Sequence, residues 1–477
     1  MAAAMREQLK VVAERSVLVH VQLPGEYVDP RDVFGELRAL SKTAGAIVVG
    51  ELVQKRKKPN GKTYLGKGKV LELAALVSTV EASLVVFDND LSPSQIRSLE
   101  EALECKIIDR SELILDIFAN RATTYLAKLQ VEIAQLEYTY PRLRAMWDHL
   151  GQIVGGAPVG IGTRGPGEQQ LEIDRRLAQR RLRQLRTELA EIQTRKTREV
   201  AQRNEDHFTA GLVGYTNAGK STLFNRLSAG GAFEHGKLFA TLSTRTERWE
   251  LGGGNGILLS DTVGFIRDLP HHLVASFRST LEETVGAQLL LIVLDASDHE
   301  AEMHYETVTR TLDEIGASTQ PRLLVLNKVD ALPDEATALA WISRHPDAVR
   351  LSAATGEGVD ELNAAVRTIV LGEMREISVG APISASRTIN FLERRTEVLD
   401  RTYTAETVEL RVRIGRRQVD QLLAQGDSLT IDGAPPMDGI ARAWDGSAAW
   451  KGADERGGIP PHERFYAAAR DETAGGA

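Results

Sequence analysis

The chain has a single cysteine, Cys105, so no disulfide can close within it and a stapled extracellular scaffold is excluded. It has no apolar run approaching the roughly 18 residues that a membrane-spanning helix needs. The longest candidate, residues 289–294, has the length of a buried strand. The N-terminus lacks the apolar stretch of a secretory signal and carries Arg6, Glu7, Lys10, Glu14 and Arg15 instead. These absences favour a cytoplasmic location. What the chain does have is length: 477 residues are too many for one core, so about two to four domains are expected. The net charge of −8 argues, as an average, against nucleic acid. Two stretches depart from that average. Residues 55–69 hold seven basic side chains and no acidic one, and residues 174–198 hold nine basic against three acidic. Either could be a solvated surface, or a surface that attracts phosphate backbones.

Short apolar strands alternate with helical stretches from residue 16 to 122, which reads as a small α/β domain. Residues 123–205 read as a pair of helices. Leu126, Leu129, Ile133, Leu136 and Leu143 form one heptad seam, and Leu171, Ala178, Leu182, Leu185, Leu189 and Ile192 a second. Between them residues 151–167 hold seven glycines, either the long connection of a helical hairpin or a disordered linker. Residues 206–372 alternate buried runs with amphipathic helices, the pattern of a doubly wound, mostly parallel sheet. A small α+β domain is expected over 380–450, and a small, polar tail over 451–477.

The chemistry lies in the 206–372 segment. Gly214, Tyr215, Thr216, Asn217, Ala218, Gly219, Lys220 and Ser221 fit G-x-x-x-x-G-K-S/T, after a strand and before a helix that continues with Thr222. Successive backbone N–H groups there can cradle phosphates, with the helix N-terminus adding positive potential. Lys220 should reach the β- and γ-phosphates, and the Ser221 hydroxyl should ligate Mg²⁺. Asp261, Thr262, Val263 and Gly264 close the strand over 257–260. A carboxylate there can hold Mg²⁺ through water, and the Gly264 N–H can touch the γ-phosphate. Asn327, Lys328, Val329 and Asp330 close the strand over 323–326. The Asp330 carboxylate can accept hydrogen bonds from N1–H and the exocyclic amine of guanine, which adenine does not offer in that arrangement. Ser352, Ala353 and Ala354 can place a backbone N–H at the guanine oxygen. Four motifs in order, each at a strand end, describe a guanine-nucleotide site at the carboxyl edge of a parallel sheet. A switch threonine should follow the P-loop. Thr241, Thr244 and Thr246 are the candidates, and Thr241 is favoured because it lies about midway between Lys220 and Asp261. Phe239, Ala240, Leu242 and Ser243 then line the same loop.

These motifs resemble those of translation-factor-related GTPases. The segment Gly162–Arg176, with Gly162-Thr163-Arg164-Gly165-Pro166-Gly167-Glu168, resembles the signature of the HflX family of GTPases, and so do residues 109–121, 129–138, 214–225 and 261–270. The resemblance covers about residues 18–371. It implies a P-loop GTPase domain preceded by an α/β domain and a helical hairpin. It also implies binding to the large ribosomal subunit and its rRNA, with the hairpin loop pointing toward the peptidyl-transferase centre. GTP hydrolysis would be stimulated by ribosomes, and stalled or idle ribosomes dissociated. Mg²⁺ would be held by Ser221, Thr241 and Asp261, with Lys220, Thr241 and Gly264 as the catalytic set. The protein is expected to be a cytoplasmic monomer, partly associated with ribosomes or membrane.

The family usually reads T-L-D-P-T-T-R where this chain has Thr241, Leu242, Ser243, Thr244, Arg245, Thr246 and Glu247. Gln169 stands where threonine is usual. Phe265 follows Gly264, where many GTPases place a glutamine that orients the attacking water, so intrinsic hydrolysis is expected to be slow. Two further readings share these residues. One is a non-catalytic guanine-nucleotide sensor, which Phe265 and the altered switch I would suit. The other is an RNA-remodelling NTPase, although the chain has no second Walker motif.

Overall fold

The computed structural model describes residues 14–26, 28–29, 31–154, 166–228, 244–252, 255–267, 284–332, 334–423 and 426–444. Outside these lie most of the glycine-rich connection, Phe239–Ser243 with the favoured switch threonine, and the expected tail.

The first unit is a parallel sheet in the order β2-β1-β3-β4. Its elements are β1 (Arg15–Gln22), α1 (Gly35–Ala44), β2 (Ile47–Lys55), α2 (Lys67–Thr79), β3 (Leu84–Phe87), α3 (Pro93–Leu103), β4 (Lys106–Asp109) and α4 (Arg110–Arg121). Every residue of β3 is buried, as expected of a strand covered on both faces. Helix α3 starts where Ser92 and Gln95 form a capping box with Pro93 in the first turn.

Two long helices follow, α5 (Tyr125–Val154) and α6 (Pro166–Asp206). Leu129 and Ile133 of α5 pack against Leu185 and Leu189 of α6, flanked by Leu126, Leu136, Leu182 and Ile192. The opposite face of α5 is not solvated: Ala127, Val131 and Ala134 are buried in the core of the first unit. The pair is antiparallel, with Tyr125 bonded to Glu188 and, further along α5, Tyr140 to Gln179.

The G domain holds β5 (Thr209–Gly214), α7 (Lys220–Leu227), β6 (Arg245–Glu250), β7 (Gly256–Asp261), β8 (Leu289–Asp295), α8 (Ala301–Glu314), β9 (Arg322–Asn327), α9 (Glu335–Arg344), β10 (Val349–Arg350) and α10 (Val359–Leu371). The sheet order is β10-β9-β8-β5-β7-β6, and only the β6–β7 pairing is antiparallel. The central strand β8 is buried along its whole length.

A third sheet, ordered β12-β13-β11-β14, is antiparallel. It comprises β11 (Met374–Pro382), α11 (Ser386–Arg395), β12 (Glu397–Tyr403), β13 (Thr407–Gly415), α12 (Arg416–Leu423), β14 (Thr430–Ile431) and α13 (Pro436–Trp444). Val408, Leu410, Val412 and Ile414 of β13 alternate inward against Leu392, Val419 and Leu422.

Candidate nucleotide site

Strand β5 delivers Gly214 so close to its neighbour β8 that a Cβ at this position would lie 2.2 Å from the Val293 carbonyl oxygen. Only glycine permits that approach. The chain then turns through left-handed Asn217 and Gly219 into α7. A Cβ on Gly219 would meet Asn327 Nδ2 at 2.2 Å, and one on Gly264 would come within 2.9 Å of Lys220 Nζ. These glycines leave a backbone-lined hollow of the kind that phosphates occupy.

Lys220 is buried, and its ammonium donates to the carbonyls of Gly214 at 3.0 Å and Tyr215 at 2.8 Å. Burial pulls its pKa down to about 8, with Asp261 opposing the drop. The Ser221 hydroxyl donates to Asp261 Oδ2 at 2.8 Å, so the two expected metal ligands meet, one at the start of α7 and one at the end of β7. Both are hard oxygen donors, the chemistry Mg²⁺ selects. The Thr262 hydroxyl is spent on Leu212 O, and the Thr216 N–H on Phe265 O at 2.8 Å. Thr222 sits half-buried in the first turn of α7, and Val263 is buried in the core.

Asn327 ties the site together. Its Nδ2 donates to Ala218 O at 2.7 Å, and its Oδ1 accepts the Ala353 N–H at 2.9 Å. Asn327 therefore staples the P-loop to the loop after β10. Ser352 is buried, and its hydroxyl accepts the Thr355 N–H. Lys328 is left-handed, with its ammonium 2.6 Å from Asp295. Val329 donates to Leu351 O, which fixes the turn that presents an exposed Asp330. P-loop, Asp261 segment, the turn that carries Asp330 and Ser352–Ala354 thus converge at the carboxyl ends of β5, β7, β9 and β10. The two other switch candidates point elsewhere. The Thr244 hydroxyl accepts from Lys196 of α6 at 3.1 Å, and that of Thr246 lies 3.0 Å from Ser260 and 3.4 Å from Arg203.

Three family profiles match the chain in order: a GTP-binding GTPase N-terminal region over residues 31–119, a GTP-binding GTPase middle region over 121–203, and a 50S ribosome-binding GTPase over 209–328. The GTPase HflX of Lacrimispora saccharolytica is 45% identical over 364 residues, 76% of this chain and 84% of that protein. The GTPase HflX of Escherichia coli is 43% identical over 378 residues, 78% and 87% of the two chains. The chain belongs to the HflX family of GTPases. Among solved structures, a GTP-binding protein of Sulfolobus solfataricus in complex with GDP is 24% identical, with a TM-score of 0.41 over 74% of this chain and 98% of that one.

As an HflX-family GTPase the protein binds guanine nucleotide and hydrolyses GTP, so the non-catalytic sensor reading falls. Sequence reasoning did not find the buried ionic cluster beside the P-loop. Arg110, at the start of α4, pairs with Glu36 at 2.6 Å and Asp88 at 2.8 Å, and donates to Arg267 O at 3.1 Å. Asp88 also accepts from His20 Nδ1 at 2.9 Å. The P-loop joins through Tyr215, whose hydroxyl donates to Glu36 and accepts the Arg267 N–H at 2.8 Å while its ring stacks on His304. Burial alone would raise the Asp88 carboxyl; Arg110, His20 and Arg267 hold it well below the usual carboxylate range. Arg110 and Arg267 both lie inside family-like segments, but Arg110 lies 74 residues from Glu36 and 157 from Arg267, beyond any local pattern.

Proposed function

We propose that this GTPase binds the large ribosomal subunit, is stimulated by it, and uses the GTP cycle to dissociate or rescue stalled or idle ribosomes. The observation that carries the stimulation is the place of Phe265. The residue is 3% exposed and packed into the core that joins the first unit to the G domain. Its N–H donates to Gly214 O, which straps the residue after Gly264 against the P-loop. Phe265 thus offers no polar group where an attacking water needs orienting, and a partner completes the site.

Lys220 places positive charge against the β- and γ-phosphates. The Gly264 amide faces the γ-phosphate as water attacks in line and the bond to the β-bridging oxygen breaks, giving GDP and phosphate. Mg²⁺, when held by Ser221, Asp261 and Thr241, neutralises charge on the phosphate oxygens. Thr241 is the switch threonine of choice because α6 and β7 engage the hydroxyls of Thr244 and Thr246. Ser221→Ala and Thr241→Ala are each expected to reduce hydrolysis, and only Thr241→Ala to spare GDP binding. An active Thr241→Ala beside an inactive Thr244→Ala would reverse the assignment.

Two surfaces suit rRNA. Lys57, Lys58, Lys62 and Lys67 are exposed on the loop after β2 and the start of α2, and Arg180, Arg183, Arg195 and Arg198 are exposed on α6. Arg181 and Arg186 are committed to Glu132 and Glu137 of α5 instead. Phosphate release under multiple turnover is expected to rise about tenfold or more with large subunits and to lose that gain as salt is raised. Changing Arg180, Arg183 and Arg195 to Glu should diminish the gain and leave nucleotide affinity unchanged. Equal turnover with and without subunits at low salt would remove the ribosome reading.

A further inference from the structure

The loop after β10, residues 352–357, is stapled twice. Asn327 holds it from β9. Arg226 holds it from α7, the helix that begins at Lys220 and Ser221. The Arg226 guanidinium, at the exposed end of that helix, lies along the loop. Its Nε donates to the Ala353 carbonyl at 3.3 Å, and its Nη2 donates to the Ala354 carbonyl. Its Nη1 lies 3.5 Å from where a Cβ on left-handed Gly356 would stand.

The carbonyl and the N–H of a trans peptide share one plane and point in opposite directions. Three consecutive peptides of the loop are fixed by that rule. The Ser352–Ala353 peptide gives its N–H to Asn327 Oδ1 at 2.9 Å. The Ala353–Ala354 peptide gives its carbonyl to Arg226, so its N–H points away from the guanidinium. The Ala354–Thr355 peptide gives its carbonyl to Arg226 and its N–H to Ser352 Oγ at 3.1 Å. Ser352 closes the loop: its N–H donates to the Glu357 carbonyl at 2.9 Å, and its carbonyl accepts the Gly356 N–H at 2.8 Å. Arg226 thus acts on the middle peptide, where the chain passes from buried Ala353 to exposed Ala354. The orientation of that peptide matters for a base with a carbonyl oxygen. One way up, it offers the Ala354 N–H to the oxygen. Turned over, it sets the Ala353 carbonyl against it, acceptor facing acceptor.

We propose that Arg226 is a positioning residue that determines base specificity: by holding the carbonyls of Ala353 and Ala354 it keeps the Ala354 N–H turned toward the 6-oxygen of guanine. The proposal rests on the reading of Ser352–Ala354 as the loop that meets that oxygen. Arg226 acts through the loop and not on the nucleotide. Because Arg226 and Lys220 share one helix, base and phosphates are placed against the same rigid element.

The test compares GDP with 6-thioguanosine diphosphate, which keeps N1–H and the exocyclic amine and carries a weakly accepting sulfur in place of the oxygen. Both are titrated into wild type, Arg226→Met and Arg226→Lys, full chains throughout. Wild type should prefer GDP. Methionine keeps the aliphatic length and loses the donors, so Arg226→Met should weaken GDP binding about three- to tenfold and the thio analogue less, narrowing the preference. Lysine, a point charge in place of a fork, should restore the preference in part. With GTP as substrate, KM should rise in Arg226→Met and kcat should hold, because the base contact is the same in ground and transition states. Equal binding of both diphosphates by wild type would overturn the 6-oxygen reading and the proposal with it. A wild type that prefers GDP, beside variants that keep the same preference, would leave that reading standing and overturn the role of Arg226. That second outcome includes variants in which both diphosphates weaken alike, the mark of a purely structural residue.

Discussion

Replacing Asp330 by asparagine is expected to weaken GTP binding by about 4 kcal/mol, on the order of 10³-fold. The reason is that Asp330, the residue proposed to read the base, is exposed on a turn that other residues hold in place. Asn327 carries the structural load by bridging Ala218 and Ala353, and the turn is held by Val329 to Leu351 O and by Lys328 to Asp295. The Asp330 carboxylate is exposed on that turn, and in the proposed site it accepts two guanine N–H groups. An amide of the same shape offers one acceptor and presents N–H to N–H, so a charge-assisted pair becomes a clash of donors. Xanthine carries a carbonyl where guanine carries its amine. The variant should therefore recover affinity for xanthosine diphosphate relative to GDP. Titration of both diphosphates into wild type and variant measures the exchange of preference. GTP binding at wild-type strength would mean that another residue reads the base.

What was legible in the sequence was whatever is local. The P-loop glycines could be read from their spacing between a strand and a helix, although the groups that demand them, the Val293 carbonyl and Asn327 Nδ2, come from other strands, and β8 could be read because a run buried on both faces is apolar. The seam of Leu129, Ile133, Leu185 and Leu189 could be read from its spacing. The other face of α5 could not: Ala127, Val131 and Ala134 look like ordinary helix formers, and only the fold puts the first unit against them. Charge was the least legible property. The basic run on α6 counts Arg181 and Arg186 as readily as Arg180 and Arg183, although the first two answer glutamates 49 residues earlier. Phe265 was legible as a missing glutamine. That its ring fills the joint between two units, and so fixes the segment after Gly264, was not.

The same joint sets the other large effect. Arg110→Met is expected to lower stability by about 3–5 kcal/mol, because it removes the cation that bonds both Glu36 and Asp88 and leaves the more distant Arg267, at 3.6 and 3.8 Å, to answer two buried carboxylates. Their side chains are 18% and 6% exposed, and that of Arg110 is 4% exposed, so solvent cannot take over its part. Methionine fills the volume, which separates the loss of charge from the loss of packing. Lysine should rescue only in part, since one ammonium cannot reproduce a fork that serves Glu36, Asp88 and the Arg267 carbonyl at once. Acid should act in the same sense. The Asp88 carboxyl is held below its unfolded value, so its stabilisation is present above about pH 4 and is lost as pH falls toward the folded pKa; in Arg110→Met that acid-dependent part should shrink. Urea unfolding of wild type, Arg110→Met, Glu36→Gln and the double variant closes a cycle in which the pair should couple by about 1–3 kcal/mol. A single variant within about 0.5 kcal/mol of wild type would show the cluster to be ornamental. Tyr215 and Arg267 link this cluster to the P-loop and to the segment after Gly264, so the loss should reach the nucleotide site. The joint holds those loops in register, and loosening it should weaken GDP binding in Arg110→Met even at temperatures where the chain stays folded.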